Sequence, residues 1–387
     1  MRASSEVFFM STILSAGPTA GALRSRAKLR VLPVTAWAFV GAILLSLNVY
    51  IMVRWMTSDT FRPAPLGPTP IPAGELTALR VFETVSTLLG VIALWHLLMR
   101  PWLRDRRISW DGILVIAFFS MWVWDPLTNV IQPTWWYNGY LINMSSWATY
   151  IPGWVSPGHE NFVEPLFLMG PCYIWFFIIP TMLGCYLIRR TRDRFPQSGV
   201  MVGLLCVFCA VAIFDAIVET YFIRTGAGAY PGLVQSLSIW GGTPYQWPYY
   251  EPLIMGWTLT AFAALRYFRD DRGHSIAERG TEKLRLSERG KTGVRFLALV
   301  GVIQSIYLGL YFVPWNMFAL HMDTHIAMPS YMRHESCGKG SAWACPSLSV
   351  PIQTKTSIPI GPDDPRLPAD VRAAQDGYPY SYWAPKK

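Results

Sequence analysis

The chain is short of charge. Asp, Glu, Lys and Arg make up 15% of its 387 residues, where a soluble domain carries nearer a quarter. That is too little to wet the surface of a globular domain of this length, and 52% of the residues are hydrophobic. An ordinary soluble enzyme is thereby excluded, and a polytopic membrane protein is expected. Cysteine is scarce too, and two CxxC units in zinc-binding register are absent. The sequence has no GxSxG, no GxxxxGK[ST], no HExxH, and no GxGxxG following a strand. Hydrolase, ATPase, zinc-protease and dinucleotide chemistries therefore have no support.

What is present is a set of apolar runs long enough to span a bilayer: about 33–53, 76–99, 112–130, 165–188, 200–222, 252–268 and 294–313. The expected fold is all-α, a polytopic bundle of about seven transmembrane helices. The net charge of +9 is not a nucleic-acid signature, because Arg and Lys gather in alternate connections. Arg24–Arg30, Arg100–Arg107, Arg189–Arg194 and Arg266–Arg295 alternate with connections that hold Arg54 and Arg62, then no Lys or Arg from 131 to 164, then Arg224. The positive-inside pattern predicts a multi-pass plasma-membrane protein, its N-terminus cytoplasmic and its C-terminus extracytoplasmic. Three regions are expected: a disordered basic leader over 1–30, a membrane domain over 31–320 with aromatic-rich outer loops at 131–164 and 223–251, and a Pro-rich outer tail over 321–387.

The central stretch is Phe214-Asp215-Ala216-Ile217-Val218-Glu219-Thr220. Two acids four residues apart inside an apolar helix share one face, about 6 Å apart along the axis. An acid at membrane depth costs about 2.5 kcal/mol or more unless it faces protein or water, so such a pair is a functional-site candidate. With the topology above, Glu83, Asp125, Glu164, Asp215, Glu219 and Glu251 all fall in the outer half of the membrane or at its outer surface. Clustered carboxyls in a low dielectric cannot all ionise, and that yields an acid and a base in one pocket. Asp215 and Glu219 are the leading pair, with Asp125, Glu251, Glu164 and Glu83 as the remaining candidates.

Aromatic rings and amides crowd the outer loops. Trp135, Trp136, Tyr137, Asn138, Tyr245, Gln246, Trp247 and Tyr250 are the expected substrate wall; the bland alternative is an interfacial aromatic belt. Cys337 and Cys345 lie where an oxidising compartment permits a disulfide. His321, Asp323 and His325 form an HxDxH that lacks a fourth ligand in register, and no metal is assigned to it. Arg266-Tyr267-Phe268-Arg269-Asp270-Asp271-Arg272-Gly273 is expected to be a solvated charge run.

The series Trp124-Asp125-Pro126, Gln132-Pro133, Tyr137-Asn138, Ser146-Trp147, Ile151-Pro152-Gly153-Trp154, Glu164-Pro165-Leu166, Asp215 with Glu219, Tyr245-Gln246 with Glu251, and Arg266 to Gly273 resembles the AveC-like spirocyclase family. These are integral membrane proteins of actinobacteria. The resemblance covers about 110–280. It implies closure of a lipophilic dihydroxy-ketone polyketide into a spiroketal, in some members with dehydration, and with no cofactor. Two other readings are open: a non-catalytic scaffold or receptor whose acids serve as caps and as ion pairs to Arg54, Arg80 and Arg224, and a proton-coupled transporter of a lipophilic small molecule.

Overall fold

The apolar runs form helices in the computed structural model, which describes residues 32–377. The expected disordered leader lies outside the described residues. Seven long helices follow one another: α1 Pro33–Met56, α2 Ala73–Asp105, α3 Trp110–Asn129, α4 Leu166–Arg194, α5 Val200–Arg224, α6 Tyr250–Tyr267 and α7 Glu288–Ala319. Six are long and apolar enough to cross a membrane. The other is α6, where Tyr250, Glu251, Thr258, Thr260 and Arg266 dilute the hydropathy. It is nonetheless packed between α4, α5 and α7, so its polar residues face protein.

The exposed faces of α1, α2 and α5 are apolar (Phe39, Ile43, Val81, Leu88, Ile213, Ile217), the surface that lipid tails cover. The central element is α4, flanked by α2, α3, α5 and α6. Where α1 crosses α7, glycines allow backbone contact: a Cβ on Gly41 would lie 1.9 Å from the Leu297 carbonyl oxygen, and one on Gly301 would lie 2.3 Å from that of Trp37. Such close approach is how membrane helices gain packing energy when apolar burial distinguishes nothing from lipid.

Each helix reverses the direction of the last, so the bundle has two unlike ends. At one, Ser109 caps α3 by accepting the Gly112 N–H at 3.0 Å. Asp111 instead takes both guanidinium donors of Arg266 at 3.0 Å, and Arg269 lies 3.9 Å over the Trp110 ring. The segment 266–273 is thus not simply a solvated run, because its first arginine ties α6 to α3. Glu278, which the sequence did not single out, is buried there between Arg295, Trp110 and Ser275.

The long loops meet at the other end, joined by four two-stranded pairings. β1 Trp136–Tyr137 pairs with β4 Gly228–Ala229, and β2 Asn143–Ser145 with β3 Val163–Pro165. β5 Gly232–Leu233 pairs with β8 Thr324–His325, and β6 Ser238–Ile239 with β7 Trp247–Pro248. The segment after α7 folds back on these loops. Gly139 N–H donates to the Tyr331 carbonyl at 2.7 Å, and Lys355 N–H to that of Val155 at 2.9 Å. Cys337 and Cys345 are joined as a disulfide.

Candidate active site

The last turns of α3 tighten. From Met121 to Asn129 the helix is 3-10, with Pro126 inside it. This brings Trp124, Asp125 and Asn129 all inward, and each is buried. In α7 the opposite occurs, with a wider π turn over Leu308–Phe312. An α-helix drifts about 40° for every four residues, and the wider turn offsets part of that drift. Tyr307, Tyr311 and Trp315 accordingly face one side, successive rings stacked at 5.4 and 5.9 Å. π turns inside helices frequently mark functional positions.

Between α3, α4, α5, α6 and α7, just below the loop-bearing end, lies a cavity of about 80 Å³. Asp125, Asp215, Glu219 and Glu251 line it, one each from α3 and α6 and two from α5. Trp135, Tyr137, Tyr173, Phe177, Tyr230 and Trp315 contribute aromatic wall. The Asp125 carboxylate accepts from Tyr173 at 2.8 Å and Tyr137 at 3.0 Å. Glu219 accepts from Tyr230 at 2.5 Å, and Glu251 from Tyr311 at 3.3 Å. Asp215 and Glu251 share the cavity lining with Glu219, and carboxyls gathered in a low dielectric cannot all ionise. Asp215 Oδ2 and Glu251 Oε2 are buried with no protein partner. Among the described residues no Lys, Arg or His forms an ion pair with any of the four.

Glu164 stands behind this group. It lines a separate small cavity that shares Asp125, Thr128, Trp135 and Tyr137 with the main one, and it accepts from Ser146 at 2.7 Å. Burial first, then the neighbouring Asp125 carboxylate, push Glu164 well above the usual carboxylate range, and the Ser146 hydrogen bond opposes them only in part. On the loop side, burial and then the Glu219 and Glu251 carboxylates push the Tyr230 hydroxyl up, so it stays a donor.

The structure brings together four of the six expected acids, sets Glu164 alongside, and leaves Glu83 out. Glu83 pairs with Arg80 one helical turn earlier at 2.5 Å and accepts the Ile142 N–H at 2.6 Å. That face of α2 packs on the loop of β2, so the carboxylate anchors the loop.

The expected aromatic wall divides likewise, with Trp135 and Tyr137 lining the cavity. Trp136, its strand neighbour, lines the small cavity beside Glu164 instead. Asn138 bonds Glu75 and the Gly226 carbonyl. Tyr245 lies under Arg224, 4.6 Å from ring centroid to guanidinium. Gln246 bridges the Tyr230 carbonyl and the Gly242 N–H. Trp247 is buried in β7, and Tyr250 stacks on Phe318 at 4.0 Å. Asn138 and Gln246 hold the loops in place, because backbone groups freed by irregular chain need side-chain partners, and the three rings pack among them.

The tyrosines Tyr173, Tyr307 and Tyr311 were missed, although Tyr307, Tyr311 and Trp315 do show the four-residue spacing of one helix face. Glu75, buried and bonded by Asn138 and Tyr331, was missed as well. The HxDxH residues diverge: His321 Nδ1 bonds the Met317 carbonyl, Asp323 accepts the Gln235 N–H, and His325 sits in β8. Among the described residues no three His, Cys, Asp or Glu side chains converge as metal ligands.

No curated protein and no solved structure matches the chain. The family described as "Spirocyclase AveC-like" matches residues 105–336, more than half of the chain and a span that contains the cavity's four carboxyls and all of its aromatic wall. The chain therefore belongs to the AveC-like spirocyclase family.

Proposed function

We propose that the protein closes a lipophilic dihydroxy ketone into a spiroketal in this cavity by acid–base catalysis without a cofactor. The observation that supports it best is the set of four carboxyls, none of them ion-paired, inside one aromatic cavity. Net spiroketalisation releases one water and involves no redox change. One hydroxyl adds to the ketone and loses its proton to a base, while an acid protonates the carbonyl oxygen to give a hemiketal. The acid, its proton restored from the base, then protonates the hemiketal hydroxyl, which leaves as water. The second hydroxyl adds to the resulting oxocarbenium ion and gives up its proton.

Asp125, held by two tyrosine donors, and the Asp215–Glu251–Glu219 group are the two proton-handling centres in this reading. The faces of Trp135, Tyr230 and Trp315 stabilise the cationic intermediate. At about 80 Å³ the cavity has room for roughly five waters, so a polyketide enters by displacing wall side chains. We place the arginine-bearing end in the cytoplasm on the positive-inside pattern, and the loops, with their disulfide, outside the plasma membrane.

A scaffold whose acids are caps and ion pairs accounts for Glu83 with Arg80 and for none of the cavity acids. The test is turnover of a dihydroxy-ketone precursor by membranes or purified protein, followed by chiral chromatography. Asp215→Asn and Glu219→Gln are expected to lose enantioselective closure while His96→Ala, at the far end of α2, retains it. Closure that survives in both carboxyl variants would sink the proposal.

A further inference from the structure

Protein hydroxyls extend from each carboxyl centre toward the other. Asp125 accepts from Tyr173, whose hydroxyl lies 2.8 Å from that of Tyr307. Tyr311 donates to Glu251, which lines the cavity together with Asp215. One link is open. Tyr307 and Tyr311 stack at 5.4 Å with their planes 12° apart, and both line the cavity. An oxygen held there, from water or substrate, completes the row. A phenol both donates and accepts, which a relay requires of every member.

Each ring closure carries one proton from acid to base, so the two centres end a closure in the wrong protonation states. Bulk solvent is a poor source for the reset, because Asp215, Glu251 and Asp125 are 1%, 2% and 7% exposed. Toward the arginine-bearing end, Asp111 and Glu278 are committed to Arg266 and Arg295. We infer that Tyr173, Tyr307 and Tyr311 form a relay that returns the proton between the Asp215–Glu251 centre and Asp125, and so resets the site internally. This rests on the spirocyclase reading. The three tyrosines are positioning residues: they act through the carboxyls, and their loss weighs on the reset more than on the first closure.

The experiment supplies the preformed hydroxy-hemiketal, so that each turnover is one closure and moves one proton. Tyr173→Phe, Tyr307→Phe and Tyr311→Phe each remove one hydroxyl and keep the ring. The expected result is a burst of one spiroketal per enzyme, followed by a steady state at least tenfold slower than the burst. The wild type and Tyr267→Phe, whose hydroxyl lies at the arginine-bearing end near Arg192, run without a burst. A linear time course in all three relay variants, at the wild-type rate or uniformly slowed, overturns the relay, since tyrosines that merely support the carboxyls slow the first turnover as much as later ones.

A second readout needs no substrate. Asp125→Asn is expected to shift the infrared carboxyl band of the Asp215–Glu251 pair, and Tyr307→Phe to abolish that shift. Equal shifts in both backgrounds overturn the relay. If the wild type makes no spiroketal, the spirocyclase reading fails and this second readout alone judges the relay.

Discussion

Gly228 offers a sharp test of whether the cavity wall is positioned for chemistry. It lies in β4 opposite Tyr137, and its φ is not positive, so alanine fits the backbone. Space is the obstacle: a Cβ there would meet Trp135 Cζ2 at 2.1 Å and Cη2 at 2.6 Å. Ordinary carbon contact begins near 3.5 Å, so the indole must retreat by more than ~1 Å, and the cavity lies among its neighbours. Overpacking of this kind costs typically ~1–3 kcal/mol, which a bundle of this size tolerates. Catalysis is less forgiving, since a ~1 Å misplacement can cost on the order of 10²-fold. Gly228→Ala is therefore expected to fold, with its thermal midpoint lowered modestly in detergent, and to lose on the order of 10² in kcat/KM for spiroketal formation. Trp135→Phe in the same chain removes the atoms that clash, and the double variant is expected to recover at least tenfold of that loss. Wild-type turnover by folded Gly228→Ala, or a double variant no better than the single one, would refute the reasoning.

Two further outcomes follow from residues outside the cavity. Glu83→Ala removes the acceptor of the Ile142 N–H, which costs about 1 kcal/mol; denaturant melts should show that loss, while turnover per folded molecule stays near wild type. Acidification should loosen the docked segment after α7. Burial, with Arg333 adding to it, pushes the His334 imidazole down to about 3, and burial pushes His325 down to about 4 although Asp323 opposes it. Both rings are held neutral, so their contribution is complete above pH 6.5 and declines as pH falls toward those values. At pH 5 the loss is about 2 kcal/mol for each histidine, from ~1.4 kcal/mol per pH unit over ~1.5 units. Limited proteolysis after residue 320 should accelerate between pH 7 and 5, and less so in His334→Gln; cutting that is independent of pH would count against this account.

The chain alone determined the number and order of the long helices, because hydropathy and length act locally. It also determined that Asp125, Asp215, Glu219 and Glu251 gather near one end of the bundle, since alternating direction sorts residues by end. Rotation about each helix axis was a matter for the tertiary structure. Glu83 and Asp215 read alike as acids in apolar helices, yet one turns to Arg80 and the loop of β2 while the other turns to the cavity. In the loops, Trp135 and Tyr137 reach the cavity while Asn138, Gln246 and Trp247 are spent holding the chain in place. The row of tyrosines between the two carboxyl centres comes from α4 and α7, and no local pattern joins residues that far apart. Azimuth is decided by neighbours a helix cannot name in its own sequence: close glycine contacts, 3-10 and π turns, and the partners that buried polar groups must find.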